Sequence, residues 1–148
     1  MDEYSAELSR TIVIVLPGWV ERCVTDLVRA WRGSVDAAVC ERARVEGELA
    51  AIEVGEQLAQ LLALDVDAQR TTPLALLRDA VSYPTRVLRE LGCPEVVRDE
   101  FAERTFPADV YNLTPAAWRD VDERLHDPGL AWGAWKAHEH LRRRRGGG

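Results

Sequence analysis

Thr11-Ile-Val-Ile-Val-Leu16 is the stretch on which the fold class turns. It is continuous and β-branched, and by propensity alone it reads as a buried strand. A lone strand leaves its backbone N–H and C=O groups without partners. The remaining 142 residues offer no second convincing strand to supply them. The stretch is therefore read as part of a helix from about Ser5, interrupted at Pro17-Gly18, and the chain as all-α.

Downstream the helical pattern strengthens. Leu16, Trp19, Val20, Cys23, Val24, Leu27, Val28 and Trp31 recur at three- and four-residue steps, with Glu21, Arg22, Asp26 and Arg29 opposite. Gly33 is placed to end this helix in the C′ position. Ser34 then caps a proline-free run to about Ala68, which as one helix would be roughly 50 Å long. Its seam of Ala38, Val45, Leu49, Ile52, Ala59, Leu62 and Val66 is close to the 3.5-residue period of a coiled coil. Arg42 and Glu56 fall on or near that seam, and Gly47 and Gly55 weaken the helix. A kink or hairpin near Gly55 is the alternative to one rod.

Three helix starts follow. Thr72-Pro73, Thr114-Pro115 and Asp127-Pro128 each set a good N-cap before a proline at N1, where a missing N–H costs nothing. The first opens helix 73–82 with Leu74, Leu77 and Val81. Pro84 is expected to break or kink the path before Val87, Leu88 and Leu91 lead to Gly92. Pro94 is expected to start a helix with Val97, Phe101 and Ala102 on its apolar face. Leu113 and Trp118 have the spacing of a hydrophobic staple about Thr114. The last helix carries Leu130, Trp135, His138 and Leu141 into Arg142–Arg145, where positive charge suits the helix C-terminus. The fold expected is about six helices. Residues 1–70 would form a long-helix hairpin or dimerisation arm. Residues 71–145 would form a compact unit around Phe101, Trp118, Trp135 and Leu141, and residues 146–148 a disordered tail.

Composition narrows the function. With 47% hydrophobic and 30% charged residues the chain suits a globular protein. The apolar run at 11–16 is too short to span a bilayer and follows acidic residues, so no membrane association and a cytoplasmic location are expected. Residues 1–70 hold 13 acids and 7 bases, and residues 71–148 hold 12 of each, four of those bases in Arg142–Arg145. An acidic body with one basic knob argues against a general nucleic-acid binder. Of 19 basic residues only Lys136 is not Arg. That bias, with abundant Ala and Val, points to a GC-rich genome. Cys23, Cys40 and Cys93 are odd in number and far apart, and read as buried thiols rather than a disulfide framework or zinc site.

No nucleophile elbow, P-loop or dinucleotide fingerprint is present, so no catalytic residue and no cofactor is assigned. His138 and His140 are two apart and cannot chelate one ion from a helix, and no metal site is expected. Glu95, Asp99 and Glu103 at i, i+4 and i+8 read as a solvated carboxylate row relieved by Arg98 and Arg104. Arg142, Arg143, Arg144 and Arg145 are the candidates for phosphate or an acidic partner. Tyr83, Tyr111, Trp132 and His138 are the candidates for a small-molecule pocket. Five tryptophans exceed what a small core needs. Trp31 and Trp132, with Val45, Leu49 and Ile52 of the seam, are accordingly the candidate partner-binding residues.

Val66-Asp-Ala-Gln-Arg-Thr-Thr-Pro-Leu-Ala-Leu-Leu77, Arg98-Asp-Glu-Phe-Ala-Glu-Arg104, Tyr111-Asn-Leu-Thr-Pro115 and Gly129-Leu-Ala-Trp-Gly133 resemble an uncharacterised helical family of high-GC Gram-positive bacteria. The resemblance spans about residues 65–145. It implies one helical unit and assigns no activity, partner or site residue. The reading favoured by the sequence is a non-enzymatic interaction or scaffold protein, a homodimer through its N-terminal helices. The alternatives are a nucleic-acid-associated regulator using the Arg tail, and a small-molecule binder or enzyme of unknown reaction.

Overall fold

The computed structural model describes residues 3–63, 78–114 and 120–125, with side chains from residue 9 and as far as residue 60 in the first segment. These residues form four α-helices and a short 3-10 turn, with no strand among them. Helix α1 is Glu3–Arg32, α2 is Ala37–Ala63, α3 is Ser82–Glu90 and α4 is Glu100–Thr105; the 3-10 turn is Glu123–Leu125. The all-α expectation holds. Four helices are described whole where about six were expected, and residues 78–79 are helical as well. Residues 73–77 of the helix expected at 73–82, and the helices expected to run from Pro115 and from Pro128, lie outside the described residues, as do Trp118, Trp135 and Leu141.

Residues 11–16 are helical, and the burial pattern gives the reason. Ile12, Val15 and Leu16 are buried while Ile14 is exposed, which is helical spacing and not the alternation of a strand. Ile12, Leu16, Val20, Val24 and Val28 form one four-residue ridge along α1, each almost wholly buried. The expected interruption at Pro17-Gly18 is not found, because α1 runs through Pro17. That proline removes one intrahelical hydrogen bond. Burial of the side chains on either side of it, Leu16 and Val20, holds the path. Gly33, at φ +82°, ends the helix, its N–H bonding to the Arg29 carbonyl at 2.8 Å.

Helix α2 returns antiparallel, with Gly47 against Pro17 and Gly55 against Val13. It is one helix through both glycines. Its N-cap is Asp36 and not Ser34, since the Asp36 carboxylate accepts the Val39 N–H at 2.9 Å. Its inner face carries Val39, Ala43, Gly47, Ala50, Val54 and Leu58. Small residues at the middle of that face let the two backbones approach closely.

Two apolar clusters form the core, and each joins the hairpin to later segments. One sets Ile12, Leu16, Ala50 and Leu58 against Tyr83, Val121 and Leu125. The other sets Val24, Val28, Ala43, Leu88, Cys93 and Tyr111 together. Packing is thus shared across the two units expected at 1–70 and 71–145. Pro84 does not break a helix. It sits in the first turn of α3, where N–H groups have no intrahelical partner, after a turn at residues 80–81. Gly92 ends α3, with Gly92 N–H to Arg89 O and Cys93 N–H to Leu88 O both at 3.0 Å, the two bonds of a Schellman motif.

The helix expected from Pro94 begins only at Glu100. Asp99 caps it, accepting the Ala102 N–H at 2.7 Å. Upstream the backbone finds other partners: Val96 N–H bonds to Val110 O at 3.0 Å, and the Arg98 guanidinium gathers the carbonyls of Ala102, Phe106 and Asp109. Two further expectations fail with it. Phe101 is 67% exposed and Val97 99% exposed, so neither builds the core. The carboxylate row dissolves, with Asp99 a cap and Glu95 paired to Arg89 at 3.1 Å. Buried Asp109 accepts the N–H groups of Leu113 and Thr114, both at 2.6 Å, and the Thr114 hydroxyl.

All three cysteines are free; Cys93 is buried and Cys23 and Cys40 are half-buried. Burial pushes the Cys23 thiol up to about 12 from an ordinary value of 9.0, and nearby Arg22 offsets only part of this. Folding therefore favours the protonated thiol. Its contribution is complete below pH 9 and is lost as pH rises from there through the folded value. Buried Tyr83 and Tyr111 shift in the same direction. Thermal midpoints measured from pH 8 to 11 should fall steadily, and Cys23→Ala should flatten the early part of that slope. An unchanged slope in the variant would remove Cys23 as its source.

Candidate functional site

At 100° per residue, the side of α2 opposite its inner face carries Ala38, Val45, Ile52 and Ala59, spaced seven residues apart. All four are exposed, Val45 by 46% and Ile52 by 60%. These are members of the seam seen in the sequence. These four face away from α1 and from the core, while Leu62 and Val66 of the same seam lie outside the residues whose side chains are described. Leu49 lies on its flank, half-buried against the first cluster.

Charges frame the stripe. On one side Arg44 bridges Glu41 and Glu48, each at 2.5 Å, and the Arg44 hydrogen bond holds the Glu41 carboxyl below its usual range. Such exposed pairs add little to stability, but they fix the helix surface beside the apolar row. On the other side lie Arg42 and Glu56. Arg42 makes a two-pronged bond to Glu90 at 2.7 and 2.9 Å and a further one to Glu46 at 2.7 Å. Glu46 is buried and also accepts from Arg86 at 3.2 Å, which ties α3 to α2. The outer face of α2 is consequently held on a rigid support.

The other sequence candidates fare differently. Trp31 is 37% exposed in the last turn of α1, with the Arg32 guanidinium 4.2 Å from its ring centroid, and it is not part of the α2 stripe. Tyr83 and Tyr111 are both buried and belong to different clusters. The Tyr83 hydroxyl donates to Glu53 at 2.7 Å and the Tyr111 hydroxyl to the Cys93 carbonyl at 2.8 Å. Burial raises both phenols, so each is a neutral packing group at physiological pH. Trp132, His138 and Arg142–Arg145 lie outside the described residues. Among the described residues no three His, Cys, Asp or Glu side chains converge on a metal position, and no helix is long and apolar enough to cross a membrane.

A second exposed apolar group, Val96, Val97 and Phe101, was not legible in the sequence. Its residues look like core to any periodicity reading, and the segment is held out of a helix by the Arg98 contacts, the Val96–Val110 backbone bond and the Asp99 cap. Comparison with protein-family models, with curated proteins and with solved structures finds no match for this chain.

Proposed function

We propose that this protein is a non-enzymatic interaction protein whose α2 outer face takes a helix of another chain. One observation carries the reading. A two-helix scaffold closes its small-residue face on its own core and leaves Ala38, Val45, Ile52 and Ala59 aligned on the opposite side. A heptad-spaced apolar row on a supported helix is the form in which helices recognise helices. The nucleic-acid reading rests on Arg142–Arg145, and the pocket reading on Trp132 and His138 with two tyrosines whose hydroxyls are already bonded. No observation among the described residues favours either.

Photocrosslinking in the producing cell tests the proposal. A benzophenone amino acid at position 52 should form adducts with a second polypeptide, and the same group at exposed Asp26 of α1 should not. Equal, background labelling from the two positions would dispose of the interaction face.

A further inference from the structure

We infer that residues 94–105 form a two-state strap, closed by Arg98 in this structure and able to open into one helix from Pro94. The inference does not rest on the α2 face. It starts from a disagreement between the segment's sequence and its conformation. Pro94 suits the first helical position, Glu95 suits the positive end of a helix, and Val97 and Phe101 have the i, i+4 spacing of one face. The structure instead starts α4 at Glu100 and keeps residues 94–99 out of it. A local preference set against the adopted conformation narrows the gap between alternative states.

The closed form has identifiable penalties. Val97 and Phe101 stand exposed, and the Arg98 Nε is buried with no hydrogen-bond partner among the described residues. Against these stand the Arg98 bonds to the carbonyls of Ala102, Phe106 and Asp109, the Val96 N–H bond to the Val110 carbonyl, and the Asp99 cap. Opening exchanges them for intrahelical bonds, in which the N–H groups of residues 98–102 meet the carbonyls of 94–98. It also brings Glu95, Asp99 and Glu103 onto one face at i, i+4 and i+8, where like charges repel. In the closed form that repulsion is relieved, with Glu95 paired to Arg89 and Asp99 occupied as a cap. Each form carries a penalty that the other lacks. Open, the strap sets Val97 and Phe101 side by side on one helical face and frees the Arg98 guanidinium.

Backbone NMR of the full chain tests the strap with two variants. Asp99→Ala removes both the α4 cap and the middle acid of the carboxylate row, so it weakens the closed form and favours the open one. Arg98→Ala removes the clasp itself. In each, the Cα shifts of residues 95–99 should move to helical values while those of 100–105 stay helical. The amide shifts of α1 and α2 should not change, which shows that the body remains folded. Without a second state the sign reverses for Asp99→Ala. A six-residue helix that has lost its cap should melt, and residues 100–105 would then move toward random-coil shifts. Helical shifts at 95–99 in either variant establish the open form. Their absence from both overturns it, whether residues 100–105 stay as they are or lose their helix. If Arg98→Ala does not fold, Asp99→Ala decides alone, since it leaves the Arg98 side chain in place.

Discussion

Gly47→Leu should lower the thermal midpoint by about 5–10 °C, although it replaces glycine in the middle of a helix. By propensity alone the change gains the helix about 0.8 kcal/mol. Position 47, however, is the contact point of α1 and α2. A Cβ there would stand 2.8 Å from the Pro17 carbonyl oxygen and 3.0 Å from the Pro17 Cα. These are backbone atoms, fixed by a helix whose side chains are locked in the core, so the helices must separate. Overpacking of this kind costs about 1–3 kcal/mol and occasionally more, and a leucine lies at the upper end. For a chain of 148 residues each kcal/mol moves the midpoint by about 2–4 °C. Gly55→Ala is the control. Its Cβ would meet only the Val13 Cγ2 methyl at 2.9 Å, the end of a side chain rather than backbone. That variant should stay within about 1 kcal/mol of wild type. A Gly47→Leu protein more stable than wild type would show that the backbones do not meet at this point.

Glu46→Ala should cost about 2 kcal/mol in urea unfolding. The Glu46 side chain is 4% exposed and is shared by Arg42 of its own helix and Arg86 of α3. Removing it takes the carboxylate from Arg86, leaves Arg42 held by Glu90 alone, and removes one of the polar links between α2 and α3. A fully buried pair broken in this way costs about 3–5 kcal/mol. Arg42 and Arg86 are one-third to one-half exposed, so both can turn to water, which sets the lower figure. Glu46→Gln, which keeps an acceptor at the site, should lose about half as much. Removing the exposed Glu41 should leave stability unchanged within error, because its pairing with Arg44 is at the surface. Equal losses from Glu46→Ala and Glu41→Ala would mean that Glu46 is solvated like any surface residue.

The two variants mark how far sequence reading carries. Gly47 and Gly55 look like helix-weakening residues in one dimension, and they suggested a kink. In the folded chain Gly47 is the place where another backbone sits. Glu46 looks like one more surface acid beside Arg42, because its burial depends on α3, some forty residues away. The segment from Pro94 failed for a related reason. Apolar spacing at Val97 and Phe101 suggested a buried helical face, but Arg98 draws three carbonyls together and holds the backbone of 94–99 outside a helix. A side chain that bonds backbone groups four to eleven residues ahead leaves no periodic trace.

The sequence by itself determined the all-helical class, the stops at Gly33 and Gly92, and the heptad-spaced row on the second helix. Each is local, set by side-chain period, backbone freedom or the need of every N–H and C=O for a partner. For residues 11–16 the sequence left strand and helix both open, and the burial of Ile12, Val15 and Leu16 decided for the helix. The tertiary structure alone decided which face of that helix is buried. Small residues, Ala43, Gly47 and Ala50, take the inside because they let two helices approach, and Val45 and Ile52 are left exposed on the outer side, with no element among the described residues packed over them. Hydrophobicity measures what a residue would gain by burial. Close packing between backbones decides which residues receive it.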